Sequence, residues 1–150
     1  GKSGKDELNG GAGDDTLAGE MGSDVLNGGS GSDWADYSRS AAGVTVNLTS
    51  AVQGGPATHS NHAYGDKLIG IENVYGSHYN DTITGDDGDN VLDGLGGADA
   101  LSGGNGSDTA EYLYSNAAVT VNLATNTHSG GDATGDNLIS IENLIGSAYN

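Results

Sequence analysis

GGAGDDTLA, residues Gly10 to Ala18, is the clearest copy of a nine-residue unit: paired glycines, a third glycine, an aspartate in the sixth slot and an aliphatic residue in the eighth. Four copies run in phase from Gly1, as GKSGKDELN, GGAGDDTLA, GEMGSDVLN and GGSGSDWAD, and they place Asp6, Asp15, Asp24 and Asp33 in the sixth slot. Four more start at Gly76, as GSHYNDTIT, GDDGDNVLD, GLGGADALS and GGNGSDTAE, with Asp81, Asn90, Asp99 and Asp108 in that slot. A single glycine-rich turn with an aspartate carries little information. Eight in-phase copies specify a repeat architecture.

The last three positions alternate, as in Thr16-Leu17-Ala18 or Val25-Leu26-Asn27, which suits a short strand with its middle residue pointing inward. The six residues before them form a turn, where glycine permits positive backbone angles and close approach of carbonyls. Two units make one coil of about 18 residues, so copies n and n+2 stack. The expected fold is all-β, a parallel β-roll or β-solenoid built from nonapeptide repeats. Its inward ladder is Leu8, Leu17, Leu26, Ala35, Val74, Ile83, Leu92, Leu101 and Ala110.

Stacked strands lie about 4.8 Å apart, and calcium holds its oxygen ligands at about 2.3 to 2.6 Å. An ion between two stacked turns therefore reaches oxygens from both, whereas without it the aligned carboxylates repel. The expected pairs are Asp6 with Asp24, Asp15 with Asp33, Asp81 with Asp99, and Asn90 with Asp108. The last is the weakest, because Asn90 brings an oxygen without charge; Asp89 in the adjacent fifth slot offsets part of the deficit. Carbonyls of the glycine turns complete a set of about six to eight hard oxygens.

These nonapeptides resemble those of the RTX, or haemolysin-type, calcium-binding repeat proteins of bacteria, over both arrays and 72 residues. The resemblance implies a parallel β-roll, several calcium ions (about four or more), export by a type I secretion system and folding on meeting calcium outside the cell. It also implies that the sixth-slot residues supply carboxylates and that the fifth-slot Asp14 and Asp89 contribute oxygens. The expected function is a non-catalytic, calcium-folded module of a larger secreted or cell-surface bacterial protein, whose partners are calcium and the rest of the parent polypeptide. The alternative is an adhesion or polysaccharide-binding module that meets a cell-surface glycan through the loops near His59 and His128 or the strand faces. Lys2 and Glu20 replace the second glycine and Tyr79 the third, which predicts distorted turns at those places.

A larger repeat encloses the arrays. SDWADYSRSAAGVTVNL from Ser32 matches SDTAEYLYSNAAVTVNL from Ser107 at 11 of 17 positions, and GDKLIGIENVYGSHYN from Gly65 matches GDNLISIENLIGSAYN from Gly135 at 11 of 16. The domain reading is one elongated β-roll fragment over residues 1–150, with arrays at 1–36 and 76–111 and connecting strand-loop-strand segments at 37–75 and 112–150. Val44, Val46 and Leu48 alternate as a strand, and the loop after Leu48, with Gly54, Gly55 and Pro56, reads as a surface excursion. Counting in nines places Glu72, and by the larger repeat Glu142, in the slot normally held by aspartate. Asn80 is followed by Asp81 and Thr82, so the same two residue types are expected after Asn150 in a longer parent.

A formal charge of -17 with 28 glycines, no Phe and no Cys leaves a thin core and no disulfides, so the metal-free chain is expected to be disordered. Four divalent ions would bring the charge to -9, and because they bind only the folded coil their affinity becomes folding free energy. Four basic against 21 acidic residues exclude nucleic acid as a partner, and no apolar run approaches the about 20 residues that span a bilayer. Trp34, Tyr37 and Tyr112 read as caps of the narrow core, and His59 and His62 as surface residues of the loop rather than a metal pair. No nucleophile with its base and orienting group emerges from the spacing, so no enzyme activity is expected.

Overall fold

The computed structural model describes residues 1–55 and 61–149. Three-residue strands close each copy of the second array: Thr82–Thr84, Val91–Asp93, Ala100–Ser102 and Thr109–Glu111. In the first array Thr16–Leu17 and Trp34–Asp36 are similarly short, while Glu7–Ala12 and Val25–Ser30 run on into the following turn. β-Branched residues recur at their outward positions, where a pleated surface accommodates them best. Each strand pairs in parallel with the strand two copies away, in the registers Leu8↔Leu26, Leu17↔Ala35, Ile83↔Leu101 and Leu92↔Ala110. This is the expected two-copy coil.

One face of the roll is a six-stranded parallel sheet of Thr16–Leu17, Trp34–Asp36, Asn73–Tyr75, Val91–Asp93, Thr109–Glu111 and Asn143–Ile145, in that spatial order. The opposite face is interrupted. Glu7–Ala12, Val25–Ser30 and Lys67–Ile69 form a three-stranded sheet, and Thr45–Asn47, Thr82–Thr84, Ala100–Ser102 and Asn137–Ile139 a four-stranded one. The segment after Leu48 bonds at this interruption. The Gln53 N–H donates to the Asp66 carbonyl at 2.7 Å, its carbonyl accepts the Gly65 N–H at 3.1 Å, and Gly54 bridges antiparallel to Thr45. That loop is thus only partly the surface excursion expected: Val52 is exposed, but Gln53, Asn61, His62 and Ala63 are buried. The physical reason is that backbone groups at the sheet interruption need partners, and the loop supplies them.

The interior is a narrow ladder of single side chains. Leu26, Ala35, Val46, Val74, Ile83, Leu92 and Ala110 are fully enclosed, Leu17 and Leu101 nearly so, and Leu8 is partly buried in the first coil. Val44 is buried and Leu48 packs on the cluster from its edge. Tyr37 and Tyr112 cap this ladder as expected, and each is held by a buried carboxylate. The Tyr37 hydroxyl donates to Asp66 Oδ2 at 3.3 Å and the Tyr112 hydroxyl to Asp136 Oδ2 at 2.8 Å. Trp34 does not cap the core. It occupies an outward seventh slot and stacks on Tyr75 with ring centroids 4.0 Å apart, because the alternation of the strand sends neighbours of the inward Ala35 to the outside.

The two tyrosine caps yield a stability prediction. Replacing Tyr112 with Phe keeps the ring in the core but removes the hydroxyl that donates to Asp136 Oδ2, and is expected to cost about 1–3 kcal/mol. Urea denaturation of the calcium-saturated chain measures it; an unchanged midpoint would show that the hydroxyl contributes nothing.

Candidate metal centre

The sixth-slot side chains form two ladders, built by backbone rather than by carboxylate-to-carboxylate contact. The Asp6 N–H donates to Asp24 Oδ1 and the Asp15 N–H to Asp33 Oδ1, both at 2.8 Å. In the second array Asp81 donates to Asp99 Oδ1 at 2.8 Å and Asn90 to Asp108 Oδ1 at 2.9 Å. The four expected pairs are therefore brought together, each by a charge-assisted bond in which one carboxylate oxygen is consumed.

Both ladders continue past the nonapeptides. The Asp33 N–H donates to Glu72 Oε2 at 2.9 Å and the Asp108 N–H to Glu142 Oε2 at 3.0 Å, so both glutamates stand in the aspartate slot. On the other side of the roll the Asp24 N–H donates to Asp66 Oδ1 at 2.8 Å and the Asp99 N–H to Asp136 Oδ1 at 2.9 Å. Counting in nines misses Asp66 and Asp136, since 42 residues separate Asp24 from Asp66. A local signal existed: Asp66-Lys67-Leu68 repeats the pattern Asp24-Val25-Leu26, and Leu68 pairs in register with Leu26.

The second carboxylate oxygen defines the chemistry. Oδ2 of Asp15, Asp24, Asp33, Asp99 and Asp108 is buried and has no hydrogen-bond partner among the described residues. An ideal Cβ placed on Gly10 would lie 2.6 Å from Asp15 Oδ2 and 2.7 Å from the Gly28 carbonyl oxygen. Gly1, Gly76 and Gly85 likewise bring the sixth-slot side-chain oxygen of their own copy together with the carbonyl of the first-slot glycine one coil on. Only a residue without a side chain leaves this space open to both oxygens. Among the described residues no three carboxylate or imidazole side chains converge. A set of carbonyls with one or two carboxylates suits a hard cation such as calcium and not a transition metal, so the residues present fit calcium.

Several slots depart from this scheme. Asp81 Oδ1 accepts the Val44 N–H at 2.7 Å and the Ser77 hydroxyl at 2.8 Å, and its Oδ2 accepts the Ser77 N–H, so both oxygens already have protein donors. Asn90 Oδ1 accepts the Asp86 N–H at 2.8 Å while its Nδ2 donates to the Glu72 carbonyl at 2.9 Å. Asp14 and Asp89 are exposed on the turns, where their Oδ1 atoms accept the Ser32 N–H at 2.9 Å and the Ser107 N–H at 2.8 Å. Glu20 and Leu95 occupy second slots in the left-handed region, with φ of 65° and 61°, which glycine would adopt at less cost. His62 is buried, with Nδ1 3.9 Å from Glu20 Oε2, so it is not the surface residue expected; His59 lies outside the described residues. The loop turns inward here because its backbone groups find partners, the His62 N–H donating to Ser40 Oγ at 3.3 Å.

Burial dominates the electrostatics. Desolvation pushes Asp99 up to about 8, with the Asp81 N–H pulling it down and the carboxylates of Asp136, Asp81 and Asp93 pushing it further up. Asp66 is pushed up to about 7 by desolvation against the Asp24 N–H, and Asp93 to about 7 by desolvation against the Leu95 N–H. Asp81, Asp108 and Asp136 are raised for the same first reason. A bound cation reverses this logic, because it stabilises the ionised form.

Comparison with known proteins agrees with the geometry. A family model described as the RTX calcium-binding nonapeptide repeat (4 copies) matches residues 1–35 and 75–110, the two stretches in which the sixth-slot ladders are built. A search of curated proteins finds no match. Repeated turns, a parallel two-copy coil and buried carboxylate oxygens beside open glycines thus coincide with the matched segments, and residues 1–35 and 75–110 are RTX calcium-binding nonapeptide repeats.

Proposed function

We propose that this chain is a non-catalytic, calcium-folded β-roll module of a larger secreted bacterial protein, supporting type I export and maturation outside the cell. The observation that carries the reading is the row of buried, unpartnered Oδ2 atoms at Asp15, Asp24, Asp33, Asp99 and Asp108. An ionised carboxylate oxygen without a partner in the interior is strongly unfavourable, and a divalent ion removes that cost. Asp6 with Asp24, Asp15 with Asp33, Asp81 with Asp99 and Asn90 with Asp108 form four principal sites, completed by turn carbonyls. Asp81 and Asn90, whose oxygens already accept protein N–H groups, make the weaker contributions. Asp14 and Asp89 add charge at the rim while bonding the next coil.

When bound, calcium supplies charge neutralisation and a cross-link between stacked turns. The protein's own residues orient the carboxylates through the ladder N–H groups and keep the space beside each first-slot glycine open. Extracellular calcium modules bind at about 0.1 to 1 mM, so such a chain stays loose at cytosolic calcium and orders outside. Because neighbouring coils share residues, as Asp24 does between Asp6 and Asp66, ordering is cooperative.

Calcium titration followed by far-UV circular dichroism is expected to show a sigmoidal coil-to-β transition in the millimolar range; a spectrum that stays unchanged from micromolar to millimolar calcium refutes the proposal. Asp24→Asn is expected to raise the transition midpoint about tenfold, through loss of one ligand charge, and Asp14→Asn to raise it much less, since Asp14 lies exposed on the turn. Equal shifts for the two would overturn the assignment of sites to the sixth slot.

Acid offers the metal-free chain a substitute for calcium. Asp66, Asp93 and Asp99 are raised to about 7, 7 and 8 from the ordinary aspartate value of about 4, so the folded state binds more protons than the unfolded one between those limits. Their contribution is present below pH about 4 and lost as pH rises through 7 to 8. In a calcium chelator the ordered fraction is therefore expected to increase from pH 8 to pH 4. A metal-free chain that loses β structure on acidification would contradict this sign.

A further inference from the structure

Where the six-stranded face meets the turns lies a groove of about 280 Å³ lined by Asp36, Ser38, Tyr75, His78, Leu95 and Tyr114. Its position follows from register, because Asp36, Tyr75 and Asp93 stand side by side on neighbouring strands. The aromatic wall is ordered: Trp34 stacks on Tyr75 at 4.0 Å and Tyr114 meets Tyr75 edge to face at 5.9 Å. Asp36 Oδ1 accepts the Ser38 N–H at 2.9 Å, and its Oδ2 has no hydrogen bond among the described residues. Asp93, directly beside Tyr75 in the sheet, is 1 % exposed; its Oδ1 accepts the N–H of the groove residue Leu95 at 2.8 Å and its Oδ2 is buried without a partner. Glu111, one strand further on, is also buried.

We propose that this groove binds an organic cation of side-chain size, a guanidinium or ammonium group presented by an arginine or lysine. Aromatic rings beside a carboxylate, here Tyr75 and Tyr114 beside Asp36, are the surroundings such a cation favours, since the ring quadrupole and the anionic charge act together. The volume lies below that of ordinary small-molecule pockets and suits a single side-chain group. Calcium is the poorer occupant: Asp36 is the single carboxylate among the lining residues, and no glycine among them opens a turn carbonyl into the groove. The groove lining shares no residue with the sixth-slot ladders.

The calcium-saturated full chain is titrated with N-acetyl-arginine amide, N-acetyl-lysine amide and the neutral citrulline analogue, with the fluorescence of Trp34, the single tryptophan, as readout. Saturable change with the cationic probes, and at least about tenfold weaker binding of the citrulline analogue, is expected. Asp36→Asn and Tyr114→Ala should each weaken the cationic probes several-fold, while circular dichroism in calcium stays at the wild-type level because Tyr114 is 62 % exposed and Asp36→Asn is isosteric. The absence of any saturable change, equal binding of the citrulline analogue, indifference to both substitutions, displacement of the probes by added calcium, or saturable binding of neutral oligosaccharides in their place would each overturn the proposal. None of these outcomes bears on calcium-driven folding, which the calcium titration reads separately.

Discussion

A buried carboxylate with one oxygen committed to the backbone and the other left over is the interaction on which the roll depends. Oδ1 of Asp24, Asp33, Asp99 and Asp108 receives the N–H of the residue one coil away, and this bond sets the stacking of the turns. Oδ2 of the same residues then has nowhere to turn but the space beside a glycine. Moving the carboxylate outward to hydrate that oxygen would break the ladder. Retaining it leaves a desolvated charge that requires a proton or a cation. The apolar ladder is too thin to offset such a cost, being one small or medium side chain per strand. This cost is the ground for the proposed coupling of folding to cation binding.

The protein also contains its own substitutes for the cation, and their positions divide the roll. At Asp66 and Asp136 the second oxygen receives a tyrosine hydroxyl, from Tyr37 and Tyr112, at equivalent places in the two modules. At Asp81 both oxygens are satisfied by Ser77 and Val44, just where the second array begins. At Asn90 the amide nitrogen donates to the Glu72 carbonyl, giving that backbone oxygen a donor. The unpartnered oxygens consequently cluster inside each array, and the rungs next to the module boundary are closed by protein donors. The boundary is continuous in hydrogen bonding, since the six-stranded sheet runs through it without a break.

Much of this was legible in the residues because the governing period is local. The nonapeptide fixes turn, strand and inward position within nine residues, so the coil, the ladder from Leu17 to Ala110 and the pairing of Asp15 with Asp33 all follow from counting. Glu72 was reachable by the same count, and Glu142 by its match in the larger repeat. Asp66 and Asp136 were not, because the insertion before each breaks the phase, and only register with Leu26 and Leu101 returns them to the slot. The burial of Gln53 and His62 had no periodic signal at all, as it arises from the need to pair backbone groups where one face of the roll is interrupted.

By itself, then, the sequence determined the fold class, the two-copy coil, the inward residues and the chemistry of the sixth slot, since each depends on neighbours within one or two nonapeptides. Tertiary structure alone decided which carboxylate oxygens remain unpartnered, which rungs tyrosine or asparagine closes, and which side chains gather around Tyr75. Those outcomes rest largely on contacts between residues 18 to 42 positions apart, where one donor more or less decides whether a buried carboxylate oxygen has a partner.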